Sequence, residues 1–140
     1  MSLLDQAFSA AAEEVVPFLD EHVVVAGVDL PLRAYRIEGE MWAQITAMCA
    51  PRVNVNLDVR YGYNFQAAAR LAAPLSIRVI EDGKETEYDE EQWDRLFKVL
   101  SGRHIKTIHS AIWQLNEYDP EQEAKAAAKK YQAALEPKPV

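Results

Sequence analysis

Apolar residues recur along this chain in patterns that change period several times, and each change marks an element. Leu4, Phe8, Ala11 and Val15 fall on one face of a helix, which Pro17 should end or kink. Val23 to Ala26 then reads as a strand, Gly27-Val28-Asp29 as a turn, and Leu30 to Ile37 as the return strand. Pro31 cannot donate to a ladder, so it confines that strand to an edge or must lie in its first residues. Met41, Trp42, Ile45 and Met48 share a helical face, and Phe65, Ala68, Ala69 and Ala72 share another. After Pro74, alternation of Leu75, Ile77 and Val79 with Ser76, Arg78 and Ile80 predicts a strand. Asp82-Gly83 predicts a hairpin, with Lys84 to Tyr88 as a charged edge partner.

The last third reads as helices. Asp89 can cap the first of them, with Gln92 placed to reach back, and Trp93, Leu96, Phe97 and Leu100 form its apolar stripe. Ser101-Gly102 is expected to close it. Ile105, Ile108, Ile112 and Leu115 stripe the next helix, with Trp113 beside the stripe. A final Ala-rich helix starts at Asp119-Pro120 and carries only Tyr131 and Leu135 as sizeable apolar groups. The expectation is an α+β fold: one predominantly helical domain over residues 1–136 with two β-hairpins, and a frayed tail at 137–140.

Between the two middle helices lies Cys49 to Asn64, where two arginines, an aspartate, three asparagines and two tyrosines crowd into a connector. Pro51 stops the helix before it, Gly62 permits a tight turn, and Asn64 can cap the helix after it. The stretch is either a surface fitted to a partner or an internal polar clasp, with Arg52 and Asp58 the natural pair. Its turn and cap residues favour architecture first and partner contact second.

Composition narrows the function classes. The net charge of −7 argues against nucleic acid as the main partner, because phosphate contacts need basic residues. No run approaches the roughly 20 apolar residues of a bilayer span. The chain opens without a basic flank or a continuous apolar segment, so a cytoplasmic setting is expected. Cys49 is the lone cysteine, which excludes an intrachain disulfide and a multi-cysteine zinc site. His104 and His109 are five apart and cannot chelate one metal from one helix face, while His22 lies far away in sequence. No phosphate loop, His-Glu-x-x-His pattern or nucleophile elbow is present, so neither catalytic, cofactor nor metal residues are assigned, and no enzyme is read. Trp42 and Trp93 are expected in the core; Trp113 is open between core and exposed contact.

One further pattern is broader than any motif. A helix ending in Cys49-Ala-Pro-Arg52 is followed by Asp58, then by Gly62-Tyr-Asn64 opening the next helix; Glu90 to Phe97 and a helix closing on Ile112-Trp-Gln-Leu-Asn116 come later. Over about residues 40 to 117 this resembles the tail assembly chaperones of long-tailed, siphovirus-type bacteriophages. The resemblance implies a non-enzymatic protein in the cytoplasm of the infected host. It would coat the aggregation-prone tape-measure protein, yield to tail-tube subunits as they polymerise, and be absent from the finished virion. Further partners implied are the tail-tube protein and a longer form of the chain made by a −1 frameshift, for which Ala128-Lys129-Lys130 could supply the slippery codons. A homo-oligomer is also expected, with the strand near Leu30 offering an edge. The contact residues expected are the aromatics Trp113, Tyr118 and Tyr131, then Arg52 and Arg60. The alternatives are a minor structural or completion protein of the tail and a small cytoplasmic adaptor.

Overall fold

The computed structural model describes residues 2–13, 17–117 and 120–135, with side chains of the last range described from 127 onward. Among the described residues the chain order is α1 (Leu3–Glu13), β1 (Phe18–Val25), β2 (Val28–Tyr35), α2 (Gly39–Met48), α3 (Asn56–Tyr61), α4 (Phe65–Ser76), β3 (Ile77–Glu81), β4 (Lys84–Thr86), α5 (Glu90–Val99), α6 (Gly102–Asn116) and α7 (Pro120–Leu135). The expected α+β architecture with two hairpins is present. Both hairpins belong to one antiparallel sheet in the order β1-β2-β3-β4.

The sheet buries one face. Val23, Leu32, Ala34, Ile77 and Val79 point inward and meet Ala68, Ala69, Ala72 and Ala73 of α4 and Ile108, Ala111 and Ile112 of α6. Four alanines on α4 let its backbone lie close to its neighbours, and Trp42 and Trp93 fill the flanks as expected. The indole N–H of each tryptophan is buried without an acceptor among the described residues; Tyr63 and Phe97 stand edge-on to the two rings. The opposite sheet face is polar. There Arg33 bridges Asp20 on β1 and Glu85 on β4 and stacks 4.3 Å from the Phe18 ring centroid, which offsets the like charge of Arg78 directly across the ladder.

Several boundaries differ from the sequence reading. The first strand begins at Phe18, and its turn is Ala26–Gly27 instead of 27–29, with φ of 50° and 82°. Two left-handed residues make the mirror-image turn whose twist suits a hairpin, and an alanine in that position was not anticipated. Replacing Ala26 with asparagine, which tolerates positive φ, is therefore expected to stabilise the fold by about 0.5–1 kcal/mol, read from the urea midpoint. The return strand ends at Tyr35, not Ile37. It is an interior strand, and Leu30 pairs with Val23 of β1; the sheet edges are β1 and β4. Pro31 is accommodated because β3 pairs only with Leu32–Ala34, leaving β1 as its one ladder neighbour.

Other differences come from tertiary packing. α4 continues through Pro74 to Ser76, so β3 starts at Ile77 and Leu75 is exposed. The proline falls in the last turn, where burial of Ala72 and Ala73 outweighs the lost backbone bond. Met41 and Met48 face solvent; the inward face of α2 is Trp42, Ile45 and Cys49. Ser101-Gly102 opens α6 instead of closing α5: Ser101 Oγ accepts from the His104 N–H, and the His104 ring accepts from the Ser101 N–H. The caps at Asn64 and Asp89 form as expected, the latter with Gln92 as a reciprocal box. Val15, Tyr118 and the 137–140 tail lie outside the described residues.

Candidate functional site: the clasped central segment

The segment from Cys49 to Asn64 leaves the body and returns to it at one place. The Asn64 N–H donates to the Cys49 carbonyl at 2.9 Å, so a compact loop is closed at its base. Inside the loop, α3 forms over Asn56–Tyr61, too short for its periodicity to be visible in sequence. It ends at Gly62, whose φ of 86° is the left-handed conformation that lets the Gly62 N–H reach the Asp58 carbonyl.

Asp58 organises the loop. Its side chain is completely buried and accepts four hydrogen bonds. Arg52 Nε and Nη2 donate to its two oxygens at 2.7 and 3.1 Å, the Arg52 N–H donates at 2.9 Å, and the Phe65 N–H donates at 3.2 Å. The remaining reach of the guanidinium goes to Gln66 Oε1 at 2.9 Å. The Arg52 guanidinium and these backbone donors outweigh the desolvation of burial and hold the Asp58 carboxyl down at about 2. Sequence analysis offered this pair as the clasp, and the clasp is what forms. Arg52 is thereby tied to Asp58 in the loop and to Gln66 on α4, with 37% of its side chain still exposed.

A ring cluster binds the loop to α6. Tyr61 and Tyr63 stack at 5.9 Å, and Tyr63, Tyr61 and Phe65 surround His109 with centroids at 5.6, 4.6 and 5.5 Å. Tyr63 Oη and His109 Nε2 are hydrogen-bonded at 2.7 Å in the interior. Burial drives the His109 ring down to about 4, the nearby Asp58 charge opposing only in part, and burial raises the Tyr63 phenol well above its usual range. The two groups therefore form a neutral, dry pair. His104, by contrast, serves as a cap on the far side of α6's first turn, so the two histidines do not converge. No cluster of three metal-ligating side chains exists among the described residues.

What the loop shows to solvent is mixed: Asn54, Asn56 and Arg60 are exposed, and so are two valines, with Met48 of α2 just before the loop. Val53 is 93% exposed, Met48 69% and Val59 64%, with Arg60 exposed beside them. Val53 and Val59 were passed over in the sequence, although two valines in an otherwise polar connector are the available signal. An open cleft of about 440 Å³ runs from Arg52 past Leu57 and Phe65 to Lys106. Trp113 is half-buried, with its ring 6.0 Å from Tyr61, so it supports the loop from below. Tyr131 is exposed on α7, away from this loop in the chain, and Tyr118 lies outside the described residues. The expected contact set thus divides: Arg52 and Trp113 build the loop's support, Arg60 lies on its surface, and Tyr131 belongs to another element.

Among the described residues no helix is long and apolar enough to cross a membrane. No protein-family model, curated protein or solved structure matches this chain.

Proposed function

We propose that this chain is a non-enzymatic tail assembly chaperone of a long-tailed bacteriophage. It binds the tape-measure protein in the cytoplasm of the infected cell, keeps it soluble while the tail tube polymerises, and is left out of the mature virion. Two things support the reading: the resemblance over residues 40–117, and the exposed apolar side chains of Val53 and Val59 on the clasped loop and of Met48 at the end of α2. A holdase needs accessible apolar surface that does not collapse into its own core. The loop meets that need because the Arg52–Asp58 clasp fixes its backbone, so Val53 and Val59 stay outward among the exposed Asn54, Asn56 and Arg60. The net charge of −7 keeps such a surface soluble.

Co-expression with the long helical protein encoded beside this chain tests the reading. Soluble tape-measure protein is expected only when this chain is present. Val53→Asp combined with Val59→Asp is expected to weaken co-purification by about tenfold or more, with the melting temperature moving by no more than about 2 °C. Arg60→Ala is the companion probe, since Arg60 is exposed on the loop whereas Trp113 supports Tyr61. Tape-measure protein that is equally soluble alone, or abundant peptides of this chain in purified virions, would sink the proposal; the second result would favour a structural tail protein.

A further inference from the structure

Among the described residues, the two terminal helices bury no side chain on the body. α1 spans 11 residues, has no buried residue, and leaves Leu3 83% and Phe8 64% exposed. Helices this short are marginal in water unless an amphipathic face is packed. Every described side chain of α7, residues 127 to 135, is exposed, Tyr131 and Leu135 included. Both helices carry an apolar seam at alternating spacings of three and four: Leu4, Phe8 and Ala11 on α1, and Ala128, Tyr131 and Leu135 on α7. That spacing is the one by which two helices interlock side by side.

Charge identifies the occupant. Residues 1–32 contain no lysine or arginine, and α1 carries Asp5 and Glu13. α7 opens with Glu121 and Glu123, but its remaining residues 124–135 contain three lysines and no acid, and Lys129 and Lys130 immediately precede the Tyr131 seam position. An acidic apolar helix and a helix with a basic apolar C-terminal half thus stand on the same molecule with their described side chains exposed. We infer that α1 of one copy docks along α7 of a second copy, so that the chain self-associates through its terminal helices. A two-fold arrangement uses each pair twice, α1 on the partner's α7 and α7 on the partner's α1. The doubling matters because a single three-turn contact falls short of the roughly 1,000 Å² that a specific interface requires. This contact uses neither the clasped loop nor its valines, so it stands independently of the chaperone reading.

Charge exchange in the full chain tests it. By light scattering coupled to size exclusion, the wild-type chain is expected to self-associate, more weakly as salt rises, and its helical circular dichroism should grow with protein concentration as α1 docks. Asp5→Asn with Glu13→Lys should weaken association by about tenfold, and Lys129→Glu with Lys130→Glu should do the same. Mixing the two variants should restore a one-to-one complex, because each altered α1 now meets an altered α7. Exposed substitutions leave the body's near-ultraviolet spectrum unchanged, which separates lost docking from lost folding. A wild-type chain that stays monomeric to about 100 μM overturns the inference, as do variants that associate like wild type or a mixture that fails to recover.

Discussion

Asp58→Ala is expected to cost about 2–4 kcal/mol of stability, read as a shift of the urea midpoint at unchanged slope. The size follows from what the substitution strands. The Arg52 guanidinium loses both of its bonds to the carboxylate, and the N–H groups of Arg52 and Phe65 lose their acceptor in a site with no exposed surface at Asp58. Arg52 keeps 37% of its side chain exposed and can turn to water, so the cost falls mainly on the stranded N–H groups and the cavity left by the buried carboxylate. Asp58→Asn keeps the shape and one acceptor oxygen and should fall between the two. The carboxyl also leaves an acid signature. Its folded value of about 2 lies below the 3.8 of a free aspartate, so the stabilising contribution is complete above about pH 4. Below that the unfolded chain takes up a proton that the native loop refuses, and about 2 kcal/mol is lost by about pH 2. A flat stability profile across that window would contradict the bonding described for Asp58.

The second large effect lies in the next window up. The buried His109 ring stays neutral down to about pH 4, against 6.5 for an ordinary histidine, because charging it would place an ion among Tyr61, Tyr63 and Phe65. From about pH 6.5 to 4 the unfolded chain binds a proton that the folded chain does not. Stability therefore falls as pH drops, by about 3 kcal/mol in total. His109→Phe should remove that slope while leaving the Asp58 window in place. The same substitution leaves the buried Tyr63 hydroxyl without its partner, at a cost of about 1–3 kcal/mol at neutral pH, and adding Tyr63→Phe should recover most of it. A slope that persists in His109→Phe would place the titrating group elsewhere.

What was legible in the sequence was local chemistry. Asn64, the Asp89–Gln92 box and the Asp82-Gly83 turn act within three or four residues, and each formed where its side chain indicated. The Arg52–Asp58 pair, six residues apart, was within reach of the same reasoning. Failures arose where two local readings were equally allowed or where distant packing decided. A glycine after a serine can end a helix or begin one, and Ser101-Gly102 begins one because His104 completes the cap. Pro74 reads as a stop, yet alanine packing carries α4 past it. The phase of α2 places Met48 outside, which a ten-residue stripe with apolar groups on both sides does not decide. The Tyr63–His109 bond joins residues 46 apart, and neither residue type announces the other. The outward valines were hidden for a different reason: the sequence drew attention to the loop's polar groups, of which Arg52, Asp58, Tyr63 and Asn64 bond internally while Asn54, Asn56 and Arg60 stay exposed beside the valines.

The bond between Asn64 and the Cys49 carbonyl has one more consequence. Because the segment departs and returns at a single point, its contour length is uncoupled from the packing of α2 against α4. Lengthening such a loop raises its closure entropy only slowly, by about 0.6 kcal/mol per doubling. Lineages carrying this body could therefore exchange the loop's exposed residues Val53, Asn54, Asn56 and Val59, with Asp58 kept in place, at the pace set by whatever they touch. The scaffold would inherit stability while the tip inherits specificity, and divergence between related chains should concentrate at the tip.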